Sequence, residues 1–301
     1  MAAAALNGPL ADLDQAELRR LARVADRLFA GRPRETPGNR PHRLRPGQGI
    51  EFLDHRAYQP GDSLRDIDWL ASARSRTTQV RRYRNETAAD WFICLDRSAS
   101  MGSADGGKWD MGVRLGAALA YLLIHLDNRV GLILFSDRVD SLRPLGRGQR
   151  GYTALLRQLE RAAPDPRGGG TRIASCTAHI PRGCQLVLLS DFLVAEGLQR
   201  DLERLAAIGE RVQAIQLLSR DDQLTGDGAD CMLRDLESGE TLSVTLTPQA
   251  TEQAARRTRE LTGELARACR RLRIGFSSCD AGDDWRQVLL RHITRPGVGR
   301  A

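Results

Sequence analysis

The chain has 301 residues, a formal net charge of +7 at pH 7 and 41% hydrophobic residues. The length allows two domains, since one domain commonly takes about 100 to 200 residues, and the hydrophobic content can fill a core, which excludes disorder throughout. All but one of the 45 basic residues are arginine. The positive charge is compatible with an acidic partner or with nucleic acid, and it selects neither by itself.

No segment of the sequence is long and apolar enough to span a membrane. The longest apolar or small run covers residues 116–124, about half of the roughly 18 residues that a spanning helix needs. The first residues also lack the basic region of a signal peptide. The six cysteines form no Cys-x-x-Cys pair, so reduced, buried thiols are expected rather than a zinc or disulfide framework. These features predict a cytoplasmic protein without direct membrane insertion.

The N-terminal segment, residues 1–35, is predicted to be an amphipathic helix followed by a linker. Apolar residues recur at helical spacing over residues 10–30, and Gly31-Arg32-Pro33 ends the pattern. The composition then shifts to proline, glycine and arginine as far as about Gln48. A boundary therefore falls here, and residues 36–89 are predicted to be a small extended subdomain.

That subdomain contains a run of basic residues. Its predicted structure is a set of short extended pieces around the turn Pro60-Gly61-Asp62. Five arginines occur without an intervening acidic residue: Arg74, Arg76, Arg81, Arg82 and Arg84. Nucleic-acid binding is one interpretation, but Tyr83 is the only aromatic residue among them, which is sparse for base stacking. A solvated or acid-paired face is the interpretation we favour.

From Asp90 onward, short apolar strands alternate with amphipathic helices. The predicted strands are 91–95, 130–135, 185–189, 212–218 and 273–278, and the predicted helices are 109–126, 151–162, 171–180, 195–208, 248–272 and 283–293. Two further strands, 232–236 and 241–246, flank a glycine turn. This alternation predicts a Rossmann-like α/β domain over residues 90–301, with a mainly parallel sheet covered by helices on both faces.

Oxygen-bearing side chains follow the predicted strands. Ligands of open parallel sheets gather beyond the carboxyl ends of the strands. Two carboxylates and three hydroxyls lie at such positions: Asp96, Ser98, Ser100, Thr171 and Asp191. Each alone has an ordinary role as a turn former, a helix cap or a solvated acid. Together they form a set of hard oxygen donors that suits magnesium or manganese rather than zinc or copper.

The motifs Asp96-x-Ser98-x-Ser100, Gly-Gly-Thr ending at Thr171, and Ser190-Asp191-Phe192 resemble the metal-ion-dependent adhesion site of von Willebrand factor type A domains. The resemblance implies that the two serines bind the ion directly, that the two aspartates often act through water, and that Thr171 joins or leaves as the site changes state. The ion is expected to be magnesium, with manganese and calcium as alternatives. A protein partner would complete the coordination with its own Asp or Glu, and Arg97, beside the ion, would favour such an acidic partner.

The segment before this domain resembles a second pattern. Residues 47–52, 56–62 and 65–69, followed by Ser72-Ala73-Arg74, are similar to the bacterial domain-of-unknown-function family 58, and so is the stretch 234–240. The resemblance covers about residues 45–295. Members are commonly encoded beside MoxR-type AAA+ ATPases. It therefore implies an adaptor that works with a MoxR-type ATPase in assembly, activation or metal insertion of a client complex.

The same segment also has a purely structural interpretation. Trp69 is then expected to anchor the core of the subdomain, and Arg65 is expected to pair with Asp66 or Asp68. On this view the segment packs as a small extended subdomain and can still shape the surface that a partner meets.

Three other functions fit the sequence less well. Residues 102–108 have the Gly-x4-Gly-Lys spacing of a P-loop, but Trp109 stands where a hydroxyl should bind magnesium. A magnesium-dependent hydrolase lacks a clear general base, because His125, His179 and His292 fall at predicted core or helix-surface positions, and no Gly-x-Ser-x-Gly surrounds Ser98. We therefore assign no catalytic residue and expect a non-enzyme, with such a hydrolase and an arginine-rich nucleic-acid-binding protein as the alternatives.

Overall fold

The structure is a computed structural model that describes residues 8–29, 51–59, 67–75, 77–84, 88–102, 107–165, 170–194, 197–219, 222, 230–234 and 240–294. The chain divides into two compact units. The larger unit lies within Met1–Ala30 and Ala89–Arg300, and the smaller unit lies within Gly31–Ala88. The predicted three-part division at residues 35 and 89 stays a prediction.

Strands and helices alternate along most of the described residues. The strands are β1 (Glu51–Ala57), β2 (Gln79–Arg84), β3 (Asp90–Asp96), β4 (Arg129–Phe135), β5 (Val139–Gly146), β6 (Gln185–Ser190), β7 (Arg211–Leu218), β8 (Asp230–Arg234), β9 (Thr241–Thr245) and β10 (Gly275–Asp280). The helices are α1 (Gln15–Phe29), α2 (Trp69–Ser75), α3 (Gly107–His125), α4 (Gly148–Glu160), α5 (Leu198–Ile208), α6 (Pro248–Arg271) and α7 (Trp285–Thr294). Short 3-10 helices cover Gly8–Leu10, Ala99–Gly102 and Ile173–His179.

The larger unit is built on a six-stranded sheet with the order β10-β7-β6-β3-β4-β5. Neighbouring strands run parallel except at β4 and β5, which are antiparallel. The predicted mainly parallel α/β fold is confirmed. The edge strand β5 was not predicted, because Pro144 and the polar residues around it break the apolar pattern, and proline is tolerated at a sheet edge.

Helices cover both faces of this sheet. The strand β3 is buried along almost its whole length, as expected of a parallel strand covered on both sides. Ile93 and Leu95 belong to the hydrophobic core on one face, and Phe92 and Cys94 belong to the core on the other. The first face is covered by α1, α3, α4 and α7, and the second is covered by α5, α6 and the 3-10 helix Ile173–His179.

The N-terminal helix α1 contributes to the core of the larger unit. Its apolar face, with Leu18 and Leu21, is buried in the same hydrophobic cluster as Leu115 of α3. The Nε atom of Arg114 also donates a hydrogen bond to the carbonyl of Pro9 at 3.0 Å. The helix therefore packs against a part of the chain from which residues 31–88 separate it in sequence.

The described residues of the smaller unit form a two-stranded antiparallel sheet and a short helix. The strands β1 and β2 pair, and α2 begins after Asp68, whose carboxylate accepts hydrogen bonds from the backbone of Leu70 and Ala71 at 3.0 Å. The predicted extended pieces include the strands β1 and β2, and the Asp68 cap starts a short helix that was not predicted. Trp69 on this helix is 70% exposed, so the expectation that it anchors a core is wrong.

Asp68 also has a partner that was not predicted from the sequence. Its carboxylate lies 3.0 Å from Nε2 of His55. Arg65 and Asp66 lie outside the described residues, so the expected ion pair of Arg65 with Asp66 or Asp68 stays a prediction. Arg76 and the side chains of Arg81, Arg82 and Arg84 also lie outside the described residues.

Three smaller expectations concern the hairpin, the cysteines and the membrane. The strands β8 and β9 form the predicted antiparallel pair. Five cysteines are free and buried, as expected: Cys94, Cys176, Cys184, Cys269 and Cys279. The side chain of Cys231 lies outside the described residues. Among the described helices, none has the length and apolar character needed to cross a membrane.

Candidate metal site

The predicted donor residues lie at the carboxyl ends of two central strands. Asp96 ends β3 and Ser190 ends β6, and these strands are parallel neighbours. Their ends therefore meet at the same edge of the sheet, where Asp191 follows directly. Ser100 lies on the 3-10 helix after β3. Thr171 precedes the 3-10 helix Ile173–His179 and donates its hydroxyl to this edge rather than capping that helix.

Asp96 is the centre of the hydrogen-bond network at this edge. Its Oδ2 atom accepts hydrogen bonds from Oγ1 of Thr171 at 2.9 Å and from Oγ of Ser190 at 2.6 Å. Its Oδ1 atom accepts a hydrogen bond from the backbone nitrogen of Ser98 at 2.8 Å. The side chain is 0% exposed. Asp96 thus holds one hydroxyl from each of two other segments in a fixed position.

The two serines after β3 face each other. The Oγ atoms of Ser98 and Ser100 lie 3.0 Å apart. Ser98 is buried, and Ser100 is partly exposed. The pair therefore presents two hydroxyl oxygens side by side, with the outer one open to solvent.

The carboxylates at this edge are electrostatically unfavourable to each other. Burial, and secondly the nearby carboxylate of Asp191, raise the pKa of Asp96 to about 6, while hydrogen bonds from Ser190 and Ser98 act in the opposite direction. A carboxylate with a raised pKa in a polar cluster is one whose negative charge lacks sufficient compensation. A cation at this edge would supply it.

Asp191 is paired with the only lysine of the chain. The Nζ atom of Lys108, near the start of α3, lies 2.9 Å from Oδ2 of Asp191 and 2.8 Å from Oδ1 of Asp222. Lys108 is 1% exposed. Burial opposes the charged form of this lysine, but the two carboxylates outweigh it and raise its pKa above the ordinary value. The ammonium therefore stays charged between them.

This pairing removes the P-loop interpretation of Lys108. A lysine of that motif must reach a bound phosphate, whereas Lys108 points inward and is enclosed by two carboxylates. The network continues through Asp222, whose Oδ2 atom accepts hydrogen bonds from the backbone nitrogen and the hydroxyl of Ser219 at 2.8 and 3.2 Å. The donor edge is thereby connected to the end of β7.

The side chain of Arg97 is held by residues outside the serine pair. Its Nε atom donates a hydrogen bond to the carbonyl of Ala163 at 2.9 Å, and its Nη1 atom lies 3.8 Å from Oδ2 of Asp140. Its backbone carbonyl accepts a hydrogen bond from the nitrogen of Asp165 at 2.6 Å. The guanidinium thus lies on the side of the segment 96–100 that faces the residues after α4.

Comparison with known proteins identifies the family. The family described as "Protein of unknown function DUF58" matches residues 54–262. The chain belongs to the DUF58 family. An uncharacterized protein of Mycobacterium bovis is 29% identical over 256 residues, which cover 83% of this chain and 80% of that protein. An uncharacterized protein of Mycobacterium tuberculosis is likewise 29% identical over 256 residues.

Solved structures similar to this DUF58 chain include two from Bacteroides. A conserved hypothetical protein of Bacteroides thetaiotaomicron, BatB, has a TM-score of 0.44 and 16% identity, and the match covers 69% of this chain and 98% of that one. An aerotolerance-related membrane protein of Bacteroides fragilis has a TM-score of 0.41 and 17% identity, with 68% and 98% covered. These TM-scores are too low to support a functional argument.

The donor set of the DUF58 chain fits a hard divalent cation. The hydroxyls of Ser98, Ser100 and Thr171 and the carboxylate of Asp96 belong to one group of residues joined by hydrogen bonds, and the carboxylate of Asp191 lies near enough to raise the pKa of Asp96. Magnesium prefers such oxygen donors and commonly keeps several waters. In the part of the chain that the structure describes, no cluster of three or more His, Cys, Asp or Glu side chains could hold a metal. A cation here would therefore rely on the hydroxyls as much as on the carboxylates.

Three members of this network are not among the site residues predicted from the sequence. Ser190 was quoted only as part of a motif, although its hydroxyl makes the 2.6 Å hydrogen bond to Asp96. Lys108 was considered only for its spacing from two glycines. Lys108 is the single lysine of an arginine-rich chain, and this exception is a signal that could have identified it as a site residue. Asp222 carried no signal in the sequence.

Proposed function

We propose that this DUF58 protein is a metal-ion-dependent protein-binding adaptor that uses a von Willebrand type A adhesion site. The observation that carries the proposal is the position of Asp96. Its buried carboxylate joins Thr171, Ser190 and the Ser98 loop at the carboxyl edge of the parallel sheet. The ion is proposed to be magnesium, with manganese and calcium as alternatives.

Each residue of the network has a separate role in this proposal. Ser98 and Ser100, whose hydroxyl oxygens lie 3.0 Å apart, would hold the ion directly. Asp96 orients the hydroxyl of Thr171. Asp191 is kept in place by Lys108 and by the backbone nitrogen of Leu193, which donates to Oδ1 at 3.1 Å. When bound, the cation supplies an open coordination position for an incoming oxygen ligand.

The charges at the site balance once a divalent cation is bound. Asp96, Asp191 and Asp222 carry three negative charges when ionised, and the buried ammonium of Lys108 offsets one of them. A divalent cation would offset the other two, because the three hydroxyl donors are neutral. The carboxylate of a partner protein would then bind to the cation itself, by replacing a water at an open coordination position.

The partner and the location belong to the same proposal. We propose a MoxR-type AAA+ ATPase as the partner, on the basis of the family resemblance, and assembly, activation or metal insertion of a client complex in the cytoplasm as the role. A binding role is preferred to catalysis because the sequence offers no clear general base. His292 in particular is buried and bonded internally to Ser277 at 3.0 Å and to Gln213 at 2.8 Å.

The test combines metal titration with capture of the ATPase. Calorimetric titration of the full chain with Mg²⁺ and Mn²⁺ is expected to show one site, which Asp96→Ala removes and Glu203→Ala, an exposed carboxylate on α5, leaves intact. The MoxR-type ATPase from the same cells is expected to be retained by the immobilised chain with Mg²⁺ and released by EDTA. The proposal would be overturned if the ATPase were retained equally well in EDTA and by the Asp96→Ala variant.

A second variant keeps this test interpretable if Asp96→Ala does not fold. Ser100→Ala removes only a partly exposed hydroxyl and leaves the Asp96 hydrogen bonds in place. It is expected to weaken Mg²⁺ binding at least about tenfold, since a direct ligand is lost, with the melting temperature of the metal-free protein unchanged. Unchanged Mg²⁺ affinity in Ser100→Ala would also contradict the proposed coordination.

A further inference from the structure

A basic groove runs along α4 in the larger unit. A cavity of about 580 Å³ is lined on one side by Arg143 of β5 and on the other by Arg157 and Arg161. A second hollow of about 310 Å³ shares Ala154 and Arg157 with it and adds Arg150. We call the two adjoining hollows the α4 groove.

The arginines of the helix lie on one face. Arg150, Ala154, Arg157 and Arg161 follow one another at intervals of four, three and four residues, which places them on one side of a helix. At 1.5 Å per residue the stretch is about 16 Å long. That length corresponds to about five residues of an extended peptide.

The arginine of the facing strand is held in position. The Nε atom of Arg143 donates a hydrogen bond to Oε1 of Gln158 at 3.1 Å, and Nε2 of Gln158 donates to Oγ of Ser141 at 2.8 Å. The guanidinium of Arg143 is therefore fixed at the wall of the groove before any ligand arrives, which reduces the entropy lost on binding.

The positive charge of the groove is not neutralised within the described residues. Among these, Arg143, Arg150, Arg157 and Arg161 form no ion pair. Basic residues in the last turn of a helix interact favourably with the helix dipole, and this interaction accounts for the position of Arg157. The same effect is unfavourable for Arg150 in the first turn, and it does not apply to Arg143 on a strand. Helix stability therefore does not explain the cluster.

One end of the groove lies at the segment 96–100, which contains three residues of the proposed metal site. Arg97, between Asp96 and Ser98, lines the groove. Its Nε atom bonds to the carbonyl of Ala163, which follows α4 in the chain, at 2.9 Å. The groove therefore begins at the side chain of Arg97, whose neighbours in the chain are two residues of the proposed metal site, and continues along the helix.

We propose that the α4 groove binds an extended acidic segment of the protein whose carboxylate reaches the metal; this inference rests on the proposed function. Guanidinium groups bind carboxylates through paired hydrogen bonds. The walls also contain apolar surface, with Leu142 44% exposed and Ala154 and Leu134 beside it. Such walls suit the side chains of a peptide better than a phosphate chain.

The probe is a fluorescein-labelled hexapeptide, Asp-Glu-Leu-Glu-Asp-Glu, and its neutral counterpart is Asn-Gln-Leu-Gln-Asn-Gln. Binding to the full chain is followed by fluorescence anisotropy in Mg²⁺ and in EDTA. The groove variant is Arg157→Gln with Arg161→Gln, both exposed. The matched control is Arg200→Gln with Arg204→Gln, exposed at the same spacing on α5, which covers the other face of the sheet.

The acidic peptide is expected to bind more tightly than the neutral one. The groove variant is expected to bind the acidic peptide about tenfold or more weakly, which is the loss of affinity that one charge-assisted hydrogen bond accounts for. The control variant should change the affinity for the acidic peptide by less than about twofold. In EDTA the difference between the groove variant and the control should remain, because the arginines do not need the ion. That remaining difference supports the groove even if the metal-dependent proposal fails.

Three results would overturn the inference. Equal affinity of the groove and control variants, with binding still lost in EDTA, would leave the metal site standing and remove the groove. Tighter binding of inorganic polyphosphate or of a dT10 oligonucleotide than of the acidic peptide would assign the groove to phosphate instead. Equal affinity for the acidic and neutral peptides would show that charge does not select the ligand.

Discussion

Lys108 and Asp191 form a buried ion pair, with 2.9 Å between Nζ and Oδ2. The two residues lie 83 positions apart in the sequence and meet because α3 begins next to the carboxyl end of β6. The only lysine in the chain thus serves as an internal counterion of the candidate metal site. Its second carboxylate partner, Asp222, ties the same ammonium to the end of β7 through Ser219.

Replacing Lys108 with methionine is expected to lower the free energy of unfolding by about 3 to 5 kcal/mol, because it leaves two carboxylates next to a vacated buried cation position. Urea denaturation of the metal-free protein measures this loss. Arg204→Met, which removes an exposed cation from α5, is the control and should cost less than about 0.5 kcal/mol. A similar small loss for Lys108→Met would contradict the buried pair.

The stability of the metal-free protein is expected to fall as the pH rises through the titration of Asp96. Burial and the neighbouring Asp191 raise the pKa of Asp96 from 3.8 to about 6. A carboxyl group whose folded pKa lies above its unfolded value stabilises the fold in its protonated form, and this stability is lost between about pH 4 and about pH 6. The shift corresponds to about 3 kcal/mol.

Asp96→Asn isolates this contribution because it keeps the shape of the side chain and removes the titration. Urea denaturation at intervals from pH 4 to pH 8 should show the wild type losing stability relative to Asp96→Asn as the pH rises, with a constant difference above about pH 7. Parallel pH profiles of the two proteins would show that Asp96 does not titrate in this range.

Ser190→Ala is expected to cost about 1.5 to 3 kcal/mol of unfolding free energy, the usual effect of losing a hydrogen bond to a charged group. The 2.6 Å hydrogen bond from its hydroxyl acts to lower the pKa of Asp96, against the raising effects of burial and Asp191. The variant should therefore also raise that pKa further. Thr294→Ala, whose exposed hydroxyl bonds only to carbonyls of its own helix among the described contacts, is the control. An equal effect of both substitutions would count against the Asp96 network.

Leu18→Ala in α1 is expected to destabilise the protein by about 2 to 5 kcal/mol, since Leu18 is 1% exposed and a truncated core leucine leaves a cavity. Val24→Ala on the same helix removes a side chain that is 36% exposed and should cost about 1 kcal/mol or less. Urea denaturation compares the two. Equal small losses would mean that α1 is not part of the core of the larger unit.

Much of the larger unit was predictable from local sequence pattern. Apolar runs such as 91–95 and 185–189 predicted buried strands, because a parallel strand covered on both faces needs apolar side chains in both directions. The donor positions followed from the same pattern. Once β3 and β6 were recognised as parallel strands, Asp96 and Asp191 had to lie at the same edge of the sheet.

The sequence pattern did not predict the structure correctly in segments where polar and apolar residues are mixed. The strand β5 contains Pro144 and alternates in exposure, so only its pairing with β4 reveals it as a strand. Trp69 was expected in a core because tryptophan is large and apolar, but the cap supplied by Asp68 starts a helix that leaves Trp69 exposed.

The sequence by itself determined which oxygen donors the candidate site contains, because each donor follows a strand or opens a helix that its neighbours encode. Only the tertiary structure decided the charge state and the connections of that site. Lys108, Asp191 and Asp222 come from three segments that no local pattern links. These three residues form a charged network because they are buried together. Away from water, each carboxylate needs the ammonium between them to compensate for its negative charge.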